Sequence, residues 1–230
     1  MDVSTVMAKL AAMGNEARKK HMKKRGAGDS LFGVPLGNLR RYAESLGRDH
    51  ALTLSLWETG NADAMMLSAL TLEPEKLRRP QAERMVSDAK YIDLLDELVF
   101  DVFSEAPFAS EMRDEWVSST DDIRGRVGWT LVVSDIQRKA YDAEALSRIV
   151  DLVEAGLKDA PPLKQEVMNR AMCEIGIRHE AFTQRCIEIG ARLGVYRDQK
   201  VPKGCTSAYA PAWIAAGIRL RQARKKSNKR

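Results

Sequence analysis

Between residues 92 and 103, Ile92, Val99 and Phe103 fall on one stripe of a helical wheel. Asp93, Glu97 and Asp101 share a polar face, and Asp96 sits on the border between the two. The same rhythm, apolar residues returning every three or four positions, runs through the whole chain, punctuated by Gly or Pro. It predicts helices at 2–13, 15–25, 36–46, 49–58, 61–72, 75–88, 90–104, 108–118, 121–139, 142–157, 161–178, 180–194 and 210–225. Boundary residues agree. Asp49 precedes a helix, Pro74 and Pro107 lie at or near first turns, and Pro161 and Pro162 open another. Gly14, Gly47, Gly60 and Gly194 close four helices. No segment alternates convincingly with period two; "GWTLVV" (128–133) is too short to decide.

From residue 61 the helices pair as 61–88, 90–118, 121–157 and 161–194, units of about 30–40 residues that approach the period of HEAT-type helical repeats. They share rhythm rather than letters. The expected fold is therefore all-α, a HEAT-like helical-repeat superhelix (α-solenoid) of about a dozen short antiparallel helices with a concave face. The steady pairing favours it over a compact bundle. One domain is expected over 1–218, followed by a basic tail at 219–230. The stretch "YRDQKVPKGCTSAYAP" (196–211) is the one long irregular connection, and its Arg197, Lys200 and Lys203 are within reach of either a crossover role or a phosphate.

Charge changes this picture. The 230 residues carry 37 Lys and Arg against 32 Asp and Glu, a formal net charge of +5. Six of the cations lie in "RKKHMKKR" (18–25) and seven in "RLRQARKKSNKR" (219–230), and neither stretch contains an acid. Without these thirteen, 24 basic residues face 32 acidic ones, so the rest is net −8. Clustered cations suit phosphate, because each neutralised phosphate releases a counterion. Arg18, Lys19, Lys20, Lys23, Lys24 and Arg25 continue a helical pattern and are the favoured phosphate contacts. The C-terminal stretch reads equally as a disordered solubilising tail or a DNA-binding arm.

Other chemistry is thin. Cys173, Cys186 and Cys205 form no C-x-x-C pair, which argues against a disulfide framework or zinc site and for a cytoplasmic location. His21, His50 and His179 are scattered, so no metal is expected. Gly125 and Gly128 do not follow a strand, which rejects a nucleotide fingerprint, and no cofactor is expected. The N-terminus lacks the basic and apolar regions of a signal peptide, and no apolar run reaches membrane-spanning length. Trp57, Trp116, Trp129 and Trp213 read as core aromatics. Asp93, Glu97 and Asp101 read as a solvated face, and Asp96 on its apolar border reads either as an ordinary helix flank or as a partly desolvated functional carboxylate, the flank being favoured by the residues alone.

The stretch "FGVPLGNLRRYAESLGRDHALTLSLWETGNADAMMLSAL" (32–70) resembles the N-terminal signature of the AlkD-like DNA alkylation repair glycosylases. Phe32, Gly33, Val34, Leu39, Arg40, Leu46, Gly47, Asp49, His50, Leu56, Trp57, Thr59 and Gly60 fit it; Asp63, Ala64 and Met65 replace its E-A-R triplet. The resemblance continues more weakly to about residue 194. It implies a HEAT-like fold that holds duplex DNA and hydrolyses the N-glycosidic bond of cationic alkylpurines such as N3-methyladenine and N7-methylguanine. An alkylated purine leaves as a neutral group, so the catalyst chiefly stabilises the sugar cation left behind.

The resemblance also assigns residues. The family's W-D-x-x-D motif falls on Ile92 to Asp96, which matches Asp96 to the catalytic carboxylate and puts Ile92 where a sugar-packing ring belongs, with Tyr91 adjacent. W-x-R-R-x-A-I falls on "IRGRVGWTL", matching Arg126 to the phosphate-binding arginine, with Ile123 in place of the Trp and Arg124 as the alternative register. Apart from the resemblance, helical spacing puts Trp129 on the side of Arg126, where a DNA-facing ring is the alternative to core packing. The second ring position, in G-W-A-L-R, falls on "CEIGIR" and holds Glu174. Three readings stay open: a glycosylase using Asp96 and Arg126, a non-catalytic relative binding bent or branched DNA through its basic ends, and a helical scaffold for a protein partner. A monomer bound to duplex DNA is expected.

Overall fold

The computed structural model describes residues 2–138 and 141–227, and among these it is helical without a strand. Its α-helices are α1 (Val3–Met13), α2 (Glu16–Lys24), α3 (Leu36–Leu46), α4 (His50–Trp57), α5 (Ala62–Thr71), α6 (Arg79–Asp88), α7 (Ile92–Asp101), α8 (Ala109–Trp116), α9 (Asp122–Arg138), α10 (Ala143–Gly156), α11 (Pro162–Arg178), α12 (Glu180–Leu193) and α13 (Ala210–Ser227). They gather into two compact units, Met1–Met112 and Arg113–Arg230, where the sequence suggests one repeat domain and a tail.

Most expected helices form, and two of them are broken. The stretch 75–88 is a 3₁₀ turn, Pro74–Lys76, and then α6. Pro80 explains the break: inside a longer helix it would lack a donor for the Lys76 carbonyl and its ring would clash there. The helix expected over 90–104 ends at Asp101, where Val102 leaves helical geometry (φ −121°, ψ −63°) for a second 3₁₀ turn, Phe103–Glu105. "GWTLVV" is wholly helical within α9. The helix expected over 210–225 forms as α13 and runs on through Ser227, so the basic stretch from 219 is helical that far; Asn228, Lys229 and Arg230 lie outside the described residues.

In the first unit α5 is the central helix, packed on α3, α4 and α7, and buried on every side except at Leu70. All-round burial forces its polar groups to find partners. Ser68 Oγ donates to the Thr53 carbonyl at 2.9 Å, and the Thr71 and Thr53 hydroxyls lie 3.0 Å apart. Leu94, Leu95, Leu98 and Val99 of α7 are fully buried against it, and each such side chain contributes about 1.5–3 kcal/mol.

Asp63, fully buried on α5, explains the sequence signature before it. Its carboxylate accepts three backbone N–H groups, from Phe32 at 2.6 Å, Gly33 at 2.9 Å and Val34 at 2.8 Å. Gly33 has φ +79°, and a Cβ there would stand 2.5 Å from the Asn15 carbonyl oxygen and 2.7 Å from the Lys19 nitrogen. Asn15 in turn donates its backbone N–H to the Gly33 carbonyl at 3.0 Å and caps α2 through its side chain. So "FGV" is a clip that fastens the segment after α2 to the central helix.

In the second unit α11 packs on α9, α10, α12 and α13. Close approach is set by small residues: a Cβ on Gly128 would lie 2.6 Å from the backbone of Trp116 and Val117, and Gly217 seats the Ile177 side chain. Buried Asn169 tethers the long connection before α13 by donating to the Ala208 carbonyl at 2.8 Å.

Candidate functional site

The segment carrying Asp96 begins at Tyr91, the residue before α7. Tyr91 is not a surface ring: it is 2% exposed. Its hydroxyl donates to Asp93 at 2.6 Å and accepts from Arg18 Nη2 at 3.1 Å, while Arg25 Nε donates to the other Asp93 oxygen at 2.7 Å. Two cations of α2's basic stretch thus hold the start of α7. Burial opposes the charge on Asp93, but the bonds from Arg25 and Tyr91 outweigh it and hold this carboxyl below its ordinary value. Burial first, and then Asp93, push the Tyr91 phenol well above its ordinary range, so it remains a donor.

The polar face of α7 is the solvated face expected only at Asp101, which is exposed; Asp93 and Glu97 are partly buried. Glu97 accepts from Arg40 Nη2 at 2.9 Å, its side chain only 12% exposed. Burial, assisted by a bond from Asp101, raises the Glu97 carboxyl even against Arg40. Asp101 faces a cleft of about 410 Å³ with Arg40, Glu44, Arg48 and Thr71. Asp96 is partly exposed, and Ile92, one turn earlier on the same side, is aliphatic.

The residues expected around Arg126 lie in the second unit. Arg126 is 3% exposed, and its Nη1 donates to Glu166 at 3.0 Å and to the Leu163 carbonyl at 3.3 Å. That nitrogen faces the first turn of α11 rather than solvent. Trp129 is 2% exposed and gives its indole N–H to the Val117 carbonyl at 3.1 Å, which makes it a core ring and corrects its assignment to a DNA-facing surface. Arg124 is exposed, its guanidinium carbon 5.5 Å from the Trp116 ring centre. Glu174, at the second ring position, is held by Arg178 Nε at 2.6 Å.

The two basic stretches also differ from expectation. In α2's stretch Lys19 pairs with Glu16 at 2.8 Å and Lys23 with Asp29 at 2.7 Å; Lys20 and Lys24 are exposed without an ion-pair partner among the described residues. In α13, Arg219, Arg221, Arg224, Lys225 and Lys226 are all exposed, and none forms an ion pair among the described residues. The helix expected over 210–225 carries most of this charge; that all five side chains are exposed and unpaired among the described residues is what the sequence did not show. The Arg18–Tyr91–Asp93–Arg25 cluster had no signal in the sequence, since its members are 68 and 73 residues apart. Among the described residues no group of three or more His, Cys, Asp or Glu is placed to hold a metal, and no helix is long and apolar enough to cross a membrane.

Comparison with known proteins places this geometry. A solved structure described as belonging to "a new family of proteins related to the HEAT-like repeat DNA glycosylases with affinity for branched DNA structures" superposes with a TM-score of 0.83 at 25% identity, covering 96% of this chain and 95% of that one. The fold is thus HEAT-like. An uncharacterized protein of Listeria innocua, Lin0241, is 25% identical over 90% of this chain and 91% of its own, and Lmo0209 of Listeria monocytogenes is 22% identical over 80% and 83%. The sequence pattern of the family described as DNA alkylation repair enzyme matches residues 6–214, and the chain belongs to that family.

Proposed function

We propose that this protein binds duplex DNA of branched or distorted shape through phosphate contacts, in a repair-related role in the cytoplasm, without cutting a glycosidic bond. The observation that carries this reading is the state of the two sugar-packing positions. Ile92 and Glu174 supply no ring, and Glu174 is held by Arg178. Neither adjacent aromatic replaces them, because Tyr91 and Trp129 are buried and hydrogen-bonded to the protein. A carboxylate without rings against the deoxyribose lacks much of what stabilises a sugar cation. The affinity of the similar solved protein for branched DNA supports the same reading.

Fluorescence anisotropy with a four-way junction and a linear duplex of equal length tests it. Tighter binding to the junction, weakening steeply with salt, is expected. Absence of binding to either DNA at low salt would sink the proposal.

A second reading rests on Asp96, which keeps the family's carboxylate in a partly exposed position on α7. In it, Asp96 stabilises the sugar cation of an N3-methyladenine or N7-methylguanine nucleotide and Arg126 holds the neighbouring phosphate. Arg126 would first have to exchange Glu166 for that phosphate. Alkylpurine release from methylated duplex by the wild type, lost in Asp96→Asn, would establish this reading. Equal release by both would end it.

A further inference from the structure

We propose that the cationic half of α13, with the groove it forms against the α11–α12 corner, is a phosphate-binding surface for the nucleic-acid backbone. This rests on the DNA-binding reading above but names cations that lie beyond the family match, which ends at residue 214 and includes the opposite wall of the groove. The groove, about 400 Å³, is lined by Ile177, Arg178, Thr183, Arg221, Gln222 and Lys225. Arg221 and Lys225 are one turn apart and face it together. Arg221 Nη1 donates to the Ile177 carbonyl at 3.1 Å, which fixes the guanidinium at the wall while its other N–H groups stay available. The acid at the rim is Glu180, and Arg178 is already paired with Glu174.

The field of the groove registers on a neighbour. His179, between α11 and α12, is held below its ordinary pKa first by burial and then by Arg221 and Arg178. The helix dipole accounts for part of the arrangement, because Arg224, Lys225 and Lys226 lie in the last turn where cations are favoured. It does not account for Arg219 and Arg221, which lie earlier. Nor does it explain five exposed cations without an acid between them, a distribution that raises self-repulsion unless an anion is bound.

The anion is a nucleic-acid backbone rather than a lipid surface. A helix that lies in a membrane interface needs an apolar face. Beyond Arg219 this one exposes only Leu220 and Ala223 among its cations. Guanidinium groups beside ammonium groups suit phosphate oxygens, bidentate at the arginines and as point charges at the lysines.

The test compares the wild type with the full-length double variant Arg221→Gln/Lys225→Gln in anisotropy titrations on linear and four-way-junction DNA from 50 to 200 mM salt. Both side chains are exposed, and an unchanged thermal melt checks that the variant folds. The expected result is weaker binding to both DNAs and a log–log salt slope shallower by about 0.9 for each cation removed. A variant that binds with the wild-type slope overturns the α13 site while leaving the DNA-binding reading intact. No binding by the wild type overturns both. Wild-type binding to phosphatidylserine vesicles that exceeds its DNA binding at the same salt, and is lost in the variant, identifies a membrane surface and overturns the assignment to nucleic acid.

Discussion

The two basic stretches of this chain look alike as sequence and behave differently as structure. In the stretch 18–25, Arg18, Lys19, Lys23 and Arg25 all have protein partners, and the charge there helps hold α2, the following loop and α7 together. In α13 all five cations from Arg219 to Lys226 are exposed and without an ion pair among the described residues. Equal charge density thus marks an internal fastening in one place and an offered surface in the other. What separates them is the presence of acids nearby in space, Asp93 above all, which no count of Lys and Arg along the chain registers.

The largest expected effect comes from the Asp63 clip, which seats the segment after α2 without any of these cations. Asp63→Ala leaves three buried N–H donors without their charged acceptor, and unfolding is expected to become easier by roughly 3 kcal/mol or more. A urea midpoint equal to the wild type's would contradict the clip. Next, Tyr91→Phe cuts the hydroxyl out of the Arg18–Asp93 bridge and should cost about 1–2 kcal/mol, with DNA binding unaltered. If this variant instead kept its stability and lost DNA affinity, α2 and α13 would exchange roles.

A pH series sharpens the contrast further. The folded Asp93 carboxyl titrates below its unfolded counterpart, so its contribution is complete above the unfolded value and disappears as pH falls through the folded one. Relative to Asp93→Asn, the wild type should therefore lose its advantage on acidification below about pH 4. An advantage that persisted down to pH 2 would mean that charge on Asp93 contributes nothing. The smallest effect concerns an exposed pair. Asp29→Asn frees Lys23 and should tighten DNA binding at most a few-fold, with a steeper salt slope, since so exposed a pair is largely screened by water and salt. Weaker binding would show that Asp29 orients Lys23 rather than neutralising it.

The fold was readable because its causes are local. Three- and four-residue periodicity, Asp49 and the glycines at helix ends are signals within a few residues of what they control. Where local signals compete, the reading slipped: Pro80 shortened a helix that its neighbours favoured. The site was less readable, since burial decides it. Trp129 and Arg126 have the spacing of a surface pair, yet α9 is buried from Gly125 to Ile136. Nothing in twelve consecutive letters of mixed polarity announces that. Asp93 read as a wet acid because its partners Arg25 and Arg18 lie far earlier in the chain.

The clip around Asp63 bears on how such proteins are grouped by descent. The "FGV" letters are constrained by a carboxylate on α5 and by a glycine that no larger residue can replace without displacing the start of α2. Selection on folding alone is enough to preserve them. The positions matched to the family's sugar-packing rings, Ile92 and Glu174, take no part in this clip. A family pattern can therefore record how the chain folds without recording what its surface does.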